Sequence, residues 1–225
     1  MSTFAVTLHR VGREDQPVVV IDGFAADPDP LRDAASAATF GPALQHYPGI
    51  RAALPPAYMP SQIERLDAVF GPMLGRAGAV SLIDACFSIV TTPPDALDIR
   101  QRMPHCDAFG ADRIALVHYL APDDNDGTAF FRHRSTGFET INEARAPIFF
   151  GQLEAEIRHG GVPPPLYVTG NTPLFERTAE IEARYNRALV YPSYLLHSGA
   201  IAPDALLSSN PAEGRLTVTA FLSVG

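Results

Sequence analysis

The sequence predicts a mainly β fold, a sandwich or jelly roll, with helices flanking it. Three observations carry this. Helical patterns cluster in the first third of the chain, with a single further stretch near residue 150. From residue 79 onward, short β-type runs alternate with turn residues. The 21 prolines are spread over many short segments and no low-complexity linker or internal repeat interrupts the 225 residues, as expected of one compact domain.

Taken in order, residues 17–24 (PVVVIDGF) read as a buried strand, with three consecutive valines and an isoleucine. Asp29-Pro30 opens a short helix to Ala38, with the aspartate as N-cap and proline at the first position. Ser61 and Glu64 have the spacing of a capping box, and behind them Ile63, Leu66, Val69, Phe70 and Met73 recur at helical intervals, with Pro72 as a kink near the end. Strands are expected at 80–90, 113–120, 128–131, 178–185, 188–191 and 216–224, and a helix at 147–159 ended by Gly160-Gly161. The expected organisation is a single domain over 1–225. Residues 1–78 supply an N-terminal strand and buttressing helices, and 79–225 the β core with a helical insertion at about 140–160.

Composition removes whole classes of chemistry. All 17 basic residues are arginine; there is no lysine and no tryptophan. Schiff-base catalysis, pyridoxal-phosphate anchoring and a Walker-A phosphate site are therefore excluded. Two cysteines, Cys86 and Cys106, cannot form a four-cysteine zinc or iron–sulfur site and read as reduced thiols of a cytoplasmic protein. The formal net charge of −8 argues against nucleic-acid partners. The N-terminus has no basic segment followed by an apolar run, and no apolar stretch reaches the length of a membrane span. The H-E-x-x-H, G-x-S-x-G and G-x-G-x-x-G patterns are absent from the sequence.

His105-Cys106-Asp107 is the feature that carries chemistry. In extended chain, residues i and i+2 share a face, so His105 and Asp107 can reach one metal while Cys106 points away. A second histidine would complete the two-histidine, one-carboxylate face of non-haem iron(II) oxygenases, which leaves positions open for other ligands. His197, in Tyr191-Pro192-Ser193-Tyr194-Leu195-Leu196-His197, supplies it. Arg215 and Thr217 follow, two apart on one strand face. Taken alone, His197 also reads as a core histidine bonded to a backbone carbonyl.

The order H-x-D, H, R-x-T resembles the 2-oxoglutarate-dependent iron(II) oxygenase superfamily, on its prolyl-hydroxylase-like side. Residues 113–131 (RIALVHYLAPDDNDGTAFF) are similar to the stretch after the H-x-D there. Residues 101–107 (QRMPHCD), 127–137 (GTAFFRHRSTG) and Tyr185-Asn186-Arg187 resemble an uncharacterised bacterial family assigned to this fold. The resemblance implies a double-stranded β-helix (jelly roll) binding iron(II), with 2-oxoglutarate and dioxygen as cosubstrates. It implies His105, Asp107 and His197 as iron ligands. It assigns Arg215, Thr217 and Tyr119 to the distal carboxylate of 2-oxoglutarate, a role suited to guanidinium geometry. Tyr119 also reads as core filler with its hydroxyl at the edge. Two departures stand out: Asp126 replaces a glycine, and residues 203–214 form an apparent inserted loop before Arg215.

The implied reaction is hydroxylation of a small molecule, amino acid or peptide, releasing succinate and carbon dioxide. Asp107 separates the chain from related halogenases, which lack that carboxylate. His118, alternating with Tyr119, should face away from the pocket. Arg132, His133 and Arg134 read either as a solvated edge or as a substrate contact for an acidic or amide group. Two competing readings keep the same ligands: a non-catalytic metal- or small-molecule-binding jelly roll, and a cupin-like isomerase.

Overall fold

The computed structural model describes residues 4–43, 46–75, 78–122 and 126–225. The chain runs β1 (Ala5–Val11), β2 (Gln16–Asp22), α1 (Asp29–Ala37), β3 (Gly41–Pro42), β4 (Gly49–Ala53), α2 (Tyr58–Leu74), β5 (Val80–Val90), β6 (Arg113–Tyr119), β7 (Gly127–His133), α3 (Ala146–Gly160), β8 (Phe175–Glu182), β9 (Arg187–Pro192), β10 (His197–Ala200) and β11 (Leu216–Val224). Among the described residues the architecture is mainly β, with two antiparallel sheets and three α-helices. An eight-stranded sheet has the order β1-β2-β9-β6-β11-β5-β4-β3, and a three-stranded sheet the order β10-β7-β8.

Side-chain alternation sorts the sequence into layers. From β6, Ile114 and Leu116 join Val19, Val190, Val218 and Phe87 on the large sheet's outer face, where Leu31 of α1 and Leu66 and Phe70 of α2 cover them. The intervening residues Val18, Val20, Ala115, Tyr119, Leu189 and Tyr191 face the other way and meet Phe130 and Leu195 from the small sheet side. Outside the small sheet, Phe149 and Leu153 of α3 pack on Ala129, Phe131 and Phe175. Strands such as β2 and β9 are buried on both faces, which is why their runs are continuously apolar.

Several local expectations need correction. α2 begins at Tyr58, so Ser61 lies inside the first turn and its hydroxyl donates to the Tyr58 carbonyl (2.7 Å) instead of capping. Ile63, Leu66 and Phe70 pack as expected, while the side chains of Val69, Pro72 and Met73 lie outside the described residues. Asp29 is the first helical residue of α1, whose N-cap is Pro28; its carboxylate accepts the Tyr185 hydroxyl instead. β1 extends the large sheet beyond β2 although its alternation is weak. Among the described residues no helix is long and apolar enough to cross a membrane.

His118 faces the helical layer, as alternation requires. Its Nδ1 accepts the Tyr58 hydroxyl (2.7 Å) and its Nε2–H donates to Asn186 Oδ1 (3.1 Å). Protonating Nδ1 would force the Tyr58 hydroxyl to turn from donor to acceptor and leave a charge in a fully buried place, and burial lowers the imidazole to about 4. The unfolded chain takes up this proton near the ordinary histidine value, so the stability is complete above about pH 6.5 and lost as pH falls toward 4. Urea titrations between about pH 7 and 4.5 should show a loss approaching about 3 kcal/mol from this residue. His118→Phe should remove that part of the slope; an unchanged slope would contradict the assignment.

Candidate metal centre and its cavity

The segment ahead of the metal-binding residues is pinned before they arrive. A 3-10 turn, Ile99–Arg102, is capped by Asp98, whose carboxylate accepts the amides of Arg100 and Gln101 while Gln101 Oε1 accepts the Asp98 amide. Chain 103–107 then runs extended beside β10. His105 and His197 exchange both main-chain hydrogen bonds (2.9 and 2.8 Å), and the Asp107 amide donates to the Ser193 carbonyl (2.8 Å). Backbone pairing therefore sets the three side chains against one another before any ion arrives.

His105, Asp107 and His197 each offer one ligand atom, all within 4.8 Å of one another. The Asp107 carboxylate reaches both rings, 3.6 Å from His105 Nε2 and 3.4 Å from His197 Nε2. His197 is buried, and its Nδ1 contacts the Leu195 carbonyl at 2.8 Å. A carbonyl only accepts, so Nδ1 carries the proton and the Nε2 lone pair faces Asp107. The bland reading of His197, a bond to a backbone carbonyl, and the ligand reading thus hold together, because the one orients the other. His105 is half exposed at the cavity edge, and its ring lies 4.5 Å from that of His197. Cys106 turns toward the apolar cluster under α3, where burial raises its thiol to about 12.

The three side chains form part of the wall of a cavity of about 860 Å³ between the sheets and α3. Phe149, Phe150, Leu153 and Ile157 of α3 make one side apolar. The opposite side is more polar and comes from the large sheet, where Arg51 of β4, Arg215 just ahead of β11 and Thr217 of β11 line the cavity; Ser88 of β5 lies in register between Arg51 and Thr217. A family model covers residues 2–222. The chain belongs to that family, DUF6445, described as a family of unknown function.

No curated protein matches this DUF6445 chain. Among solved structures it is similar to the non-heme alpha-ketoglutarate-dependent epimerase SnoN from nogalamycin biosynthesis, at 14% identity over 93% of this chain and 79% of that one, with a TM-score of 0.47. It is also similar to an N-substituted L-amino acid dioxygenase from Burkholderia ambifaria AMMD, at 11% identity over 100% and 95% of the two chains, TM-score 0.43. The same enzyme in complex with alpha-KG matches at 14% identity over 99% and 95%, TM-score 0.42.

The other expected site residues of this DUF6445 chain divide. Arg215 and Thr217 line the cavity. Arg215 donates from Nη2 to the Gly127 carbonyl (2.9 Å), and its Nε lies 3.4 Å from Asp126 Oδ2. The residue that departs from the glycine pattern thus faces the arginine that follows the inserted loop. Thr217 donates to the Ser88 carbonyl (3.3 Å). Tyr119 is buried in the layer between the sheets with its hydroxyl on Thr128 Oγ1 (2.7 Å), and it is not among the cavity-lining residues. Arg132, His133 and Arg134 also lie off the cavity. Arg132 pairs with Glu176, His133 is fully buried between Glu156 (2.8 Å) and Thr136 (3.0 Å), and Arg134 donates to the Thr172 carbonyl (2.9 Å).

Three cavity residues escaped the sequence reading. The Tyr191 ring stands edge-on to His197 at 4.9 Å, and burial, with Asp107 nearby, holds its hydroxyl well above the ordinary range. Tyr47 comes from the segment leading into β4 and Arg51 from β4 itself. The only signal for Arg51 was an arginine in a short strand without an acidic partner.

Proposed function

We propose that this protein is an iron(II)- and 2-oxoglutarate-dependent oxygenase that hydroxylates a small molecule, amino acid or peptide. The observation that carries the proposal is the convergence of two imidazoles and one carboxylate, from separate segments, on the wall of a cavity large enough for a cosubstrate and a second molecule. The donor set fits: two neutral nitrogens and one carboxylate suit iron(II) and leave coordination positions open. Bound there, iron would supply the redox chemistry that couples decarboxylation of 2-oxoglutarate to attack on a C–H bond.

The chain's own residues do the positioning. His105, Asp107 and His197 hold the ion, and the Leu195 carbonyl fixes the His197 ring in the tautomer that leaves Nε2 free. Arg215 and Thr217 stand on the polar wall to receive the distal carboxylate. Tyr191 keeps its proton and packs the His197 ring in place. The α3 side chains give the cavity an apolar wall for the body of a substrate. The strand order supports the jelly-roll reading: β9-β6-β11-β5 form one four-stranded half, and chain 105, β10, β7 and β8 the other, with the chain passing back and forth between them except at β7–β8, which are paired neighbours.

Anaerobic protein given iron(II) and 2-oxoglutarate should develop a weak visible charge-transfer band. Failure to develop one, with iron bound, would contradict the proposal.

A further inference from the structure

We propose that Arg51 and Tyr47 form an anion site in the cavity beside Arg215 and Thr217, one that takes a carboxylate. Arg51 lies on β4, outside the four-and-four set of strands that bears the metal ligands. Among the described residues it has no ion pair and no hydrogen bond, and its Nε is buried without a partner. Its guanidinium lies 4.6 Å from the centre of the Tyr47 ring. The Tyr47 hydroxyl is likewise buried without a partner. Two unpartnered buried donors, one of them cationic, are costly in a folded protein unless a ligand satisfies them.

The charge around them points to an anion. Of the other cavity arginines, Arg215 faces Asp126, and Arg100 contacts His46, which in turn contacts Asp98. Arg51 is left uncompensated in a chain whose net charge is −8. A cationic site in an acidic protein attracts an anion locally against the overall field. A guanidinium fork beside a phenol hydroxyl matches the two oxygens of a carboxylate. Tyr47 itself lies close to Thr217 and Arg215, so the carboxylate has two possible owners: the far end of 2-oxoglutarate, shared with Arg215 and Thr217, or a second molecule whose apolar body lies on the α3 wall. Only the first of these rests on the proposed function.

Calorimetry separates them. With protein loaded with manganese(II), 2-oxoglutarate and 2-oxopentanoate, which lacks the far carboxylate, are titrated into wild type, Arg51→Leu and Tyr47→Phe. Phenylacetate is titrated into the metal-free proteins. If Arg51 holds the cosubstrate, Arg51→Leu weakens 2-oxoglutarate on the order of ten- to a hundredfold and leaves 2-oxopentanoate unchanged. If it holds a second molecule, 2-oxoglutarate is unchanged and phenylacetate binding is lost by a similar factor. Tyr47→Phe, which removes only a hydroxyl, should shift the same ligand in the same direction by less. Affinities unchanged in both variants, or a wild type that binds neither carboxylate, would overturn the proposal. A wild type that binds phenylacetate but not 2-oxoglutarate would count against the oxygenase reading and leave the anion site standing.

Discussion

His197→Ala is expected to weaken divalent metal binding by at least about a hundredfold and to abolish the charge-transfer band with 2-oxoglutarate. The reason is geometric. His197 supplies one of three ligand atoms, and its ring is already oriented by the Leu195 carbonyl, so no nearby group can replace it. The main-chain bonds that align β10 with His105 and Phe130 do not involve the side chain, so the fold should survive. Metal titration by calorimetry reads the loss. Wild-type affinity in a folded His197→Ala protein would exclude His197 as a ligand.

The second large effect lies away from the cavity. Asn186→Ala should destabilise the protein by about 3 kcal/mol, from two named causes. Asn186 holds a left-handed backbone, φ 61°, between β8 and β9, which asparagine tolerates and alanine resists. Its side chain also joins three buried polar groups: Oδ1 accepts the Ala25 amide (2.8 Å) and His118 Nε2–H, and Nδ2 donates to the Ala25 carbonyl (2.9 Å). Truncation leaves all three groups unsatisfied. Asn186→Gly relieves the backbone but not the lost bonds, so denaturant midpoints should order wild type, glycine, alanine from most to least stable. A variant Asn186→Ala as stable as wild type would show that neither cause matters.

What the sequence made legible was local. Continuous apolar runs marked β2, β6 and β9, and alternation sorted His118 from Tyr119 onto opposite faces of β6. The i, i+2 spacing of His105 and Asp107 carried over because that stretch is extended beside β10. Long-range geometry was not legible. Tyr119 has the right face but its hydroxyl meets Thr128 on the opposing sheet, a contact no spacing encodes. Arg132 and Arg134 share a face, as alternation says, yet that face meets Glu176 and Thr172. Arg51 enters the cavity because β4 pairs with β5, and a five-residue strand paired across the intervening α2 leaves little trace in a single chain. The start of α2 was misplaced because Ser61 and Glu64 carry the spacing of a cap while packing of Met59 extends the helix upstream.

The central claim is that this cavity turns over 2-oxoglutarate at an iron held by His105, Asp107 and His197. The most direct test is succinate release from labelled 2-oxoglutarate in air. Wild type should form succinate only when iron(II), 2-oxoglutarate and dioxygen are all present, and Asp107→Ala should form none. No succinate from iron-loaded wild type across a panel of apolar and carboxylated small molecules, or equal succinate from Asp107→Ala, would contradict it.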